Sequence, residues 1–338
     1  MRTLLIILTL AMGVFSCSND KDLLNYDNTT FVFIETISHD DYFGDSKLLV
    51  NEDNQTSPIK ISNERIHYQV LGTKIIYKDG SDIVEFNSTT HQTQIIASFP
   101  NTPINSFHVS PDNEYLAFSD YEDIFLVELE SGTVENITEN LEGDFRNPKW
   151  SPNGNSILAR NGVLIVRPGD NGPTITGNFK IFSLSQQTFQ DIEMFDQFAY
   201  PGSAEWSPDS KIVIYEQYQA VFTFDVENEQ LKRITSEEVV ATNPKFSKNG
   251  TMISYFSSDQ SDNGNNWQNF LTIYTIENQT SKVTNHSYSY DASWENDSTA
   301  ILYCTENGIF LYNLETESIQ ILIETGESKY LHSTQFLE

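Results

Sequence analysis

One short motif recurs along the chain and restricts the folds that the chain can adopt. In each copy an aromatic residue stands directly before, or three residues before, the first residue of Ser-Pro-Asp or a variant of it. β-forming residues follow the turn. The five copies occupy residues 107–113, 150–154, 206–210, 246–250 and 294–298. Copies spaced by roughly 40 to 55 residues indicate a repeat protein, in which each repeat packs on its neighbours.

Each repeat contains four short strands joined by tight turns. Three β-forming runs follow each motif, as at residues 211–216, 221–226 and 231–235. The alternation of Ile212 and Ile214 with other residues fits a sheet that is packed on both of its faces. No segment of the body shows helical periodicity. Four strands in about 40–45 residues predict an all-β fold, a β-propeller with one repeat in each blade.

The repeat resembles the TolB-type propeller repeat, which is related to the WD-repeat class. The likeness lies in Trp-Ser-Pro-Asp, the hydrophobic strand after it and the Ile-Thr that closes the unit, as at Trp206 and at Ile234-Thr235. It extends clearly over residues 105–323 and weakly over 65–99, where the strand rhythm lacks the Ser-Pro-Asp turn. The resemblance implies the propeller fold and says little about function.

The two ends of the body complement each other. Residues 330–337 resemble the innermost strand of a new blade, with Phe336 in the position of Trp294, and residues 31–61 contain three strands without an inner one. One blade built from both ends would remove the open edges of the ring. We therefore expect one propeller of seven blades over residues 31–338, or of six if residues 23–62 form an irregular cap.

The first sixteen residues have the layout of a signal peptide. Arg2 precedes an apolar run that is too short to span a membrane as a helix. Val14-Phe15-Ser16-Cys17 resembles a bacterial lipobox, which implies cleavage before Cys17, lipid on its thiol and a tether over residues 17–30. The short acidic stretch after it resembles a surface-export signal. We expect a lipid-anchored outer-membrane or cell-surface protein. The alternatives are an ordinary secretory signal and a periplasmic orientation.

The charge balance narrows the classes of partner. The chain has 48 acidic and 19 basic residues, for a net charge of −29. Nucleic-acid binding is dominated by cationic contacts to phosphate, so this balance argues against a nucleic-acid partner. Many acids, such as Glu227 and Glu229, lie in turns between strands, and we expect them to form a solvated rim.

The candidate binding residues lie where the repeat is interrupted. Long loops are expected at residues 37–45, 161–178 and 257–268, and long connections at 195–201 and 286–291, all on one face of the ring. The candidate ligand-binding residues are Tyr42, Phe43, Phe198, Tyr200, Asp259, Asp262, Trp267, Tyr288 and Tyr290. Aromatic and Asp-rich loops on a rigid scaffold suit a protein partner or a carbohydrate ligand. The alternative is that they are tolerated surface insertions.

One of these loops is rich in oxygen ligands. Asp259, Asp262, Asn263 and Asn265 crowd together as they would around Ca²⁺, but their spacing does not match the EF-hand template. We expect them to be turn residues and expect no cofactor, with Ca²⁺ binding as the alternative.

Catalytic templates are absent from the sequence. It contains no G-x-S-x-G and no H-E-x-x-H, and its six His residues are scattered. Trp150, Trp206 and Trp294 share one repeat position and are expected in the core. Cys304 is expected as a buried thiol. The first hypothesis is a non-catalytic binding propeller, and the second is a hydrolase or lyase acting on extracellular polysaccharide. An enzyme should bring acids or His together near the central channel, whereas a binding protein should show an aromatic patch.

Overall fold

The repeat folds into seven antiparallel four-stranded sheets, the blades of a β-propeller. The structure is a computed structural model that describes residues 30–39, 42–52, 55–62, 66–165, 174–194, 202–259, 270–287, 291–305, 307–325 and 329–337. These residues form strands and turns, with no helix among them. The all-β class and the seven blades expected from the sequence are confirmed.

The blades are numbered in chain order, and each is written from its innermost strand outwards. Blade 1 contains β28 (Lys329–Phe336), β1 (Phe31–His39), β2 (Tyr42–Glu52) and β3 (Gln55–Ser62). Blade 2 contains β4 (Tyr68–Leu71), β5 (Lys74–Asp79), β6 (Asp82–Asn87) and β7 (Gln92–Ser98). Blade 3 contains β8 (Ser106–Val109), β9 (Tyr115–Ser119), β10 (Ile124–Glu128) and β11 (Val134–Asn136). Blades 4 and 5 are β12 (Asp144–Trp150), β13 (Ser156–Ile165), β14 (Thr174–Ser183) and β15 (Thr188–Asp191); and β16 (Ala204–Trp206), β17 (Ile212–Gln217), β18 (Ala220–Asp225) and β19 (Gln230–Arg233). Blades 6 and 7 are β20 (Val239–Phe246), β21 (Met252–Asp259), β22 (Phe270–Thr275) and β23 (Thr280–Ser287); and β24 (Asp291–Trp294), β25 (Ala300–Thr305), β26 (Gly308–Asn313) and β27 (Ile319–Glu324).

Blade 1 is assembled from both ends of the chain. The C-terminal strand β28 pairs antiparallel with β1, and Phe31 lies opposite Phe336. Leu331 and Phe336 of β28 pack with Leu302 and Leu311 of blade 7. The closure expected from the sequence is confirmed, and it leaves no open edge between the first and last blades.

The Ser-Pro-Asp turns are built by their own side chains. In blade 5 the Ser207 hydroxyl donates to Asp209 Oδ1 at 2.6 Å, and the same carboxylate oxygen accepts from Lys211 N at 3.2 Å. The Ser207 oxygen also accepts from Ile212 N at 2.9 Å, which starts the next strand. The Ser207 hydroxyl holds the pKa of Asp209 below its usual value. This local chemistry explains why the motif recurs, since Asp and Ser stabilise the turn through hydrogen bonds within it.

The aromatic residue before each turn lies in the core between blades. Trp150, Trp206, Phe246 and Trp294 are only 3%, 5%, 5% and 2% exposed, so the core assignment is confirmed. In blade 3 this position belongs to Val109, which pairs with Leu116 as Trp150 pairs with Ile157. We call it the ring position. Trp206, for example, packs with Leu158 and Phe179 of blade 4 and so joins two blades.

Two segments expected to be loops are paired strands. Residues 37–39 and 42–45 extend the hairpin of β1 and β2, where His39 lies opposite Tyr42. Residues 161–165 and 174–178 extend β13 and β14, where Gly162 lies opposite Gly177. A Cβ on Gly177 would lie 2.2 Å from Asn161 O, so glycine there allows a close approach of two strands and does not mark a loop.

The described residues include no helix that is both long and apolar enough to cross a membrane. Cys304 is fully buried in β25, as expected from the sequence, and its thiol donates to Asp291 O at 3.7 Å. Cys17 and the rest of residues 1–29 lie outside the described residues.

Candidate functional site

The ring has two unlike faces. One face carries the connections between blades and the hairpin turns between the second and third strands of each blade, and we call it the loop-rich face. The opposite face carries only short turns in the described residues, such as residues 207–211 and 226–229. The loop-rich face is where the sequence predicts the binding site.

Three of the candidate binding residues have a described backbone on that face. Tyr42 and Phe43 begin β2, opposite His39 and Ser38, at the tip of the blade 1 hairpin. Asp259 ends β21, opposite Val239, at the same face of blade 6. The candidates outside the described residues are Phe198, Tyr200, Asp262, Trp267, Tyr288 and Tyr290. Their role stays a prediction.

Two tyrosines that were not among the sequence-based candidates are exposed on the loop-rich face. Tyr121 lies between β9 and β10 and is 49% exposed, and Tyr218 lies between β17 and β18 and is 60% exposed. Arg146 lies over the Tyr121 ring at 5.9 Å and donates from Nε to Tyr121 O at 3.3 Å. Leu141, 38% exposed, belongs to the connection that follows blade 3 on this face.

Both tyrosines adopt a backbone conformation that disfavours bulky residues. The φ angle is 95° at Tyr121, 51° at Tyr218 and 56° at the following Gln219. Two consecutive positive φ angles in a two-residue hairpin turn favour Asn-Gly, and a tyrosine there is strained. Such strain clusters at functional sites. The signal in the sequence is a tyrosine in a tight turn where Gly, Asn or Asp is expected.

A channel of about 740 Å³ runs along the centre of the ring and is lined by the inner strands of all seven blades. The residue just before the ring position lines it in every blade. These seven residues, which we call the inner ring, are Gln69, His108, Lys149, Glu205, Lys245, Ser293 and Gln335. All are polar, so the channel differs in character from the apolar core between blades.

Several inner-ring side chains bond the backbone of the next blade. Gln69 Oε1 accepts from Val109 N at 2.7 Å, and Gln69 Nε2 donates to Val109 O at 3.0 Å. His108 Nδ1 accepts from Trp150 N at 3.3 Å. Glu205 Oε1 accepts from Phe246 N at 3.2 Å. Backbone groups on the inner strands of blades 3, 4 and 6 are therefore hydrogen-bonded by a side chain of the preceding blade.

Four charged side chains interact in the channel. Lys245 Nζ lies 3.3 Å from Glu205 Oε2, and these side chains remain 30% and 29% exposed. The Glu205 carboxylate raises the pKa of Lys245. Burial and then the Lys245 ammonium lower the pKa of Lys149 to about 8. Burial raises the pKa of Asp291, which begins β24.

Two further titratable groups line the channel. Burial and then the Lys149 ammonium lower the pKa of His108 to about 3, so its imidazole is neutral at pH 7 and accepts from Trp150 N. Burial and then the Asp291 carboxylate raise the pKa of Tyr68. Acids, lysines and a His thus converge near the axis, the feature expected of the enzyme hypothesis. His108 and Glu205 each accept a backbone bond, which also gives them a structural role.

Metal ligation has no support in the described residues, which contain no group of three His, Cys, Asp or Glu placed to hold an ion. The proposed Ca²⁺ residues Asp262, Asn263 and Asn265 lie outside those residues. The inner ring was not predicted from the sequence, because its members differ in type from blade to blade.

The comparisons with known proteins concern the fold. No family model matches the chain, and no curated protein matches it. TolB from Acinetobacter baumannii is 15% identical with a TM-score of 0.51, over 89% of this chain and 81% of that chain. An oligogalacturonate lyase from Vibrio parahaemolyticus is 12% identical with a TM-score of 0.60, over 88% and 86%. An oligogalacturonate lyase in complex with manganese is 10% identical with a TM-score of 0.61, over 88% and 86%. At these identities the likeness is one of fold: the chain shares the β-propeller fold of TolB and of the two lyases.

Proposed function

We propose that this chain is a cell-envelope lipoprotein whose propeller binds a protein partner through the loop-rich face without reacting with it. Lipid on Cys17 anchors it in the outer membrane or at the cell surface. The observation that carries the proposal is the pair of exposed, strained tyrosines, Tyr121 and Tyr218, with Arg146 over the ring of the first.

The chemistry of this face suits a protein better than other ligands. Tyrosine and arginine are enriched at the centres of protein interfaces, and both offer large contact areas with a polar end. Strain in the two turns is retained despite its cost to stability, which is typical of a surface selected for binding. The predicted residues Tyr42, Phe43, Phe198, Tyr200, Trp267, Tyr288 and Tyr290 would extend this surface around the ring.

The test is capture of a partner from envelope extract by the chain lacking residues 1–17. We expect the wild-type chain to retain a protein that Tyr121→Ala/Tyr218→Ala does not retain. The matched control is Ile95→Ala/Ile321→Ala, because these side chains are 62% and 52% exposed but lie on the outer strands β7 and β27. Equal loss of capture in the control variant, or retention by the tyrosine variant, contradicts the proposal.

A second candidate function is a hydrolase or lyase acting on extracellular polysaccharide. The convergence of His108, Lys149 and Asp291 on the channel favours it. Turnover of acidic and neutral polysaccharides by the wild-type chain, lost in Asp291→Asn with an unchanged melting temperature, would favour this candidate over the binding protein. No turnover across that panel would remove it.

A further inference from the structure

The wall of the central channel has more basic than acidic residues, whereas the protein as a whole has more acidic than basic ones. The chain as a whole carries 48 acidic and 19 basic residues. The channel wall instead carries four basic residues, Lys149, Arg160, Lys245 and Lys248, against two acidic ones, Glu205 and Asp291. A cationic cavity within an anionic protein concentrates negatively charged ligands at that one place.

Two of these lysines are placed by the same local device. Asn-Pro-Lys occurs at 147–149 in β12 and at 243–245 in β20. Both asparagines have positive φ, 54° at Asn147 and 50° at Asn243, and the pairing of each strand shifts register just before its lysine. A bulge of this kind changes the direction of the side chains that follow it.

The two bulges bring both ammonium groups to the inner strand of blade 5. Lys149 Nζ donates to Ala204 O at 2.7 Å, and Lys245 Nζ lies 3.3 Å from Glu205 Oε2. Blades 4 and 6 flank blade 5, so the lysines reach it from opposite sides.

We propose that Lys149 and Lys245 form a binding site inside the central channel for the carboxylate group of a small organic acid. This site is distinct from the partner-binding face and does not depend on it.

The bonding capacity of the site supports this assignment. Within the described part of the chain, no carboxylate forms an ion pair with Lys149, and its described bond uses one of three N–H donors. Among the described residues, Glu205 is the one acid ion-paired with either lysine. A carboxylate group has two acceptor oxygens, one for each ammonium group.

Two hydroxyl groups that line the channel offer further donors, one next to β16 of blade 5 and one in β28 of blade 1. The Oγ atom of Ser203, next to Ala204, and the Oγ1 atom of Thr334 are buried with no hydrogen-bond partner among the described residues. Thr334 is fully buried. Buried polar groups are normally bonded, and an orphan hydroxyl on a cavity wall suits a polar ligand. The channel volume of about 740 Å³ lies within the range of small-molecule sites.

The test is titration calorimetry at low ionic strength on the chain lacking residues 1–17, which retains every described residue. The probes are succinate, its monoamide succinamate, and succinamide, which has the same skeleton and no carboxylate. We expect the two carboxylates to bind and succinamide to give no heat. Binding of succinamide as tight as that of succinamate overturns the proposal, and so does tighter binding of inorganic phosphate than of succinate.

Variants locate the site. Lys149→Met should weaken succinate binding by about tenfold or more, because a charge-assisted hydrogen bond is lost. Lys149→Arg should retain most of it, and the control Lys232→Met on the outer strand β19 should change it less than about twofold. Unchanged binding in Lys149→Met overturns the proposal.

A second measurement needs no variant. Lysine acetylation of the wild-type chain, followed by mass spectrometry, should slow at Lys149 and Lys245 when succinate is added. Lys232 should react at the same rate in both samples. Equal rates at the channel lysines contradict the site even if calorimetry detects binding, because the ligand would then lie elsewhere. Binding of the protein partner without binding of any small carboxylate also overturns the site, and it leaves the proposed function standing.

Discussion

Phe31 and Phe336 lie opposite each other across β1 and β28, although they stand at the two ends of the described chain. This pair joins the first and last strands of the propeller. Ring closure therefore depends on the last strand of the chain, and the stability of all seven blades depends on it too.

Removal of residues 329–338 should destabilise the whole ring. The deletion takes away the inner strand of blade 1 together with the buried Leu331 and Leu337. We expect the melting temperature to fall by about 10 °C or more, since several kcal/mol of burial and strand pairing are lost. Removal of Glu338 alone is the control and should have no effect. Melting is monitored by circular dichroism. Equal melting temperatures for the long deletion and the full chain would refute closure by both termini.

His108 should make the protein less stable in acid. Its folded pKa of about 3 lies below the ordinary value of 6.5, so the unfolded chain binds the proton more readily. The stability that neutral His108 contributes is complete above pH 6.5 and is lost as the pH falls toward 3. His108→Gln places the residue type of Gln69 at the same repeat position and removes this titration.

The variant should match the wild type in unfolding free energy at pH 7 and lose about 3 kcal/mol less than the wild type between pH 6.5 and pH 4. Urea unfolding at pH 7, 6, 5 and 4 measures both values. Parallel curves for the two proteins over this range would show that His108 does not carry the effect.

A variant of the turn at Tyr218 and Gln219 should be more stable than the wild type but should bind the protein partner more weakly. Tyr218→Asn/Gln219→Gly supplies residues that accept the positive φ angles of 51° and 56°. We expect a gain of about 1 kcal/mol in unfolding free energy, measured with urea, and weaker capture of the envelope partner. A loss of stability would remove the strain argument, and unchanged capture would remove the role of Tyr218 in binding.

Trp294 contributes a buried hydrogen bond as well as packing. Its Nε1 donates to Ser254 Oγ at 2.9 Å, and both residues are buried. Trp294→Phe, which uses the residue type of Phe246 at the ring position of blade 6, should cost about 1–3 kcal/mol of unfolding free energy. Adding Ser254→Ala removes the orphaned hydroxyl and should recover part of that loss. An additive loss in the double variant would mean that the bond contributes nothing.

The sequence predicts those parts of the fold that local chemistry builds. The Ser207 and Asp209 turn forms from its own side chains, so its repetition along the chain is enough to reveal the blades. The closure of blade 1 follows from matching an inner strand at one end with three strands at the other.

The inner ring could not be predicted in this way. Gln69, His108 and Glu205 all accept a backbone N–H from the next blade, yet they are an amide, an imidazole and a carboxylate. The common role depends on geometry between blades, which no local pattern encodes. For a similar reason residues 161–178 are expected from the sequence to form a loop, because the close approach of Gly177 to Asn161 O is visible only in three dimensions.

The central claim is that the loop-rich face binds the partner, and hydrogen–deuterium exchange of the complex tests it most directly. With the partner bound, we expect slower exchange in the turns that contain Tyr121 and Tyr218. The turns at residues 207–211 and 226–229, on the opposite face, should exchange at the same rate as in the free chain. Slower exchange in those turns, with no change at Tyr121 and Tyr218, would contradict the account.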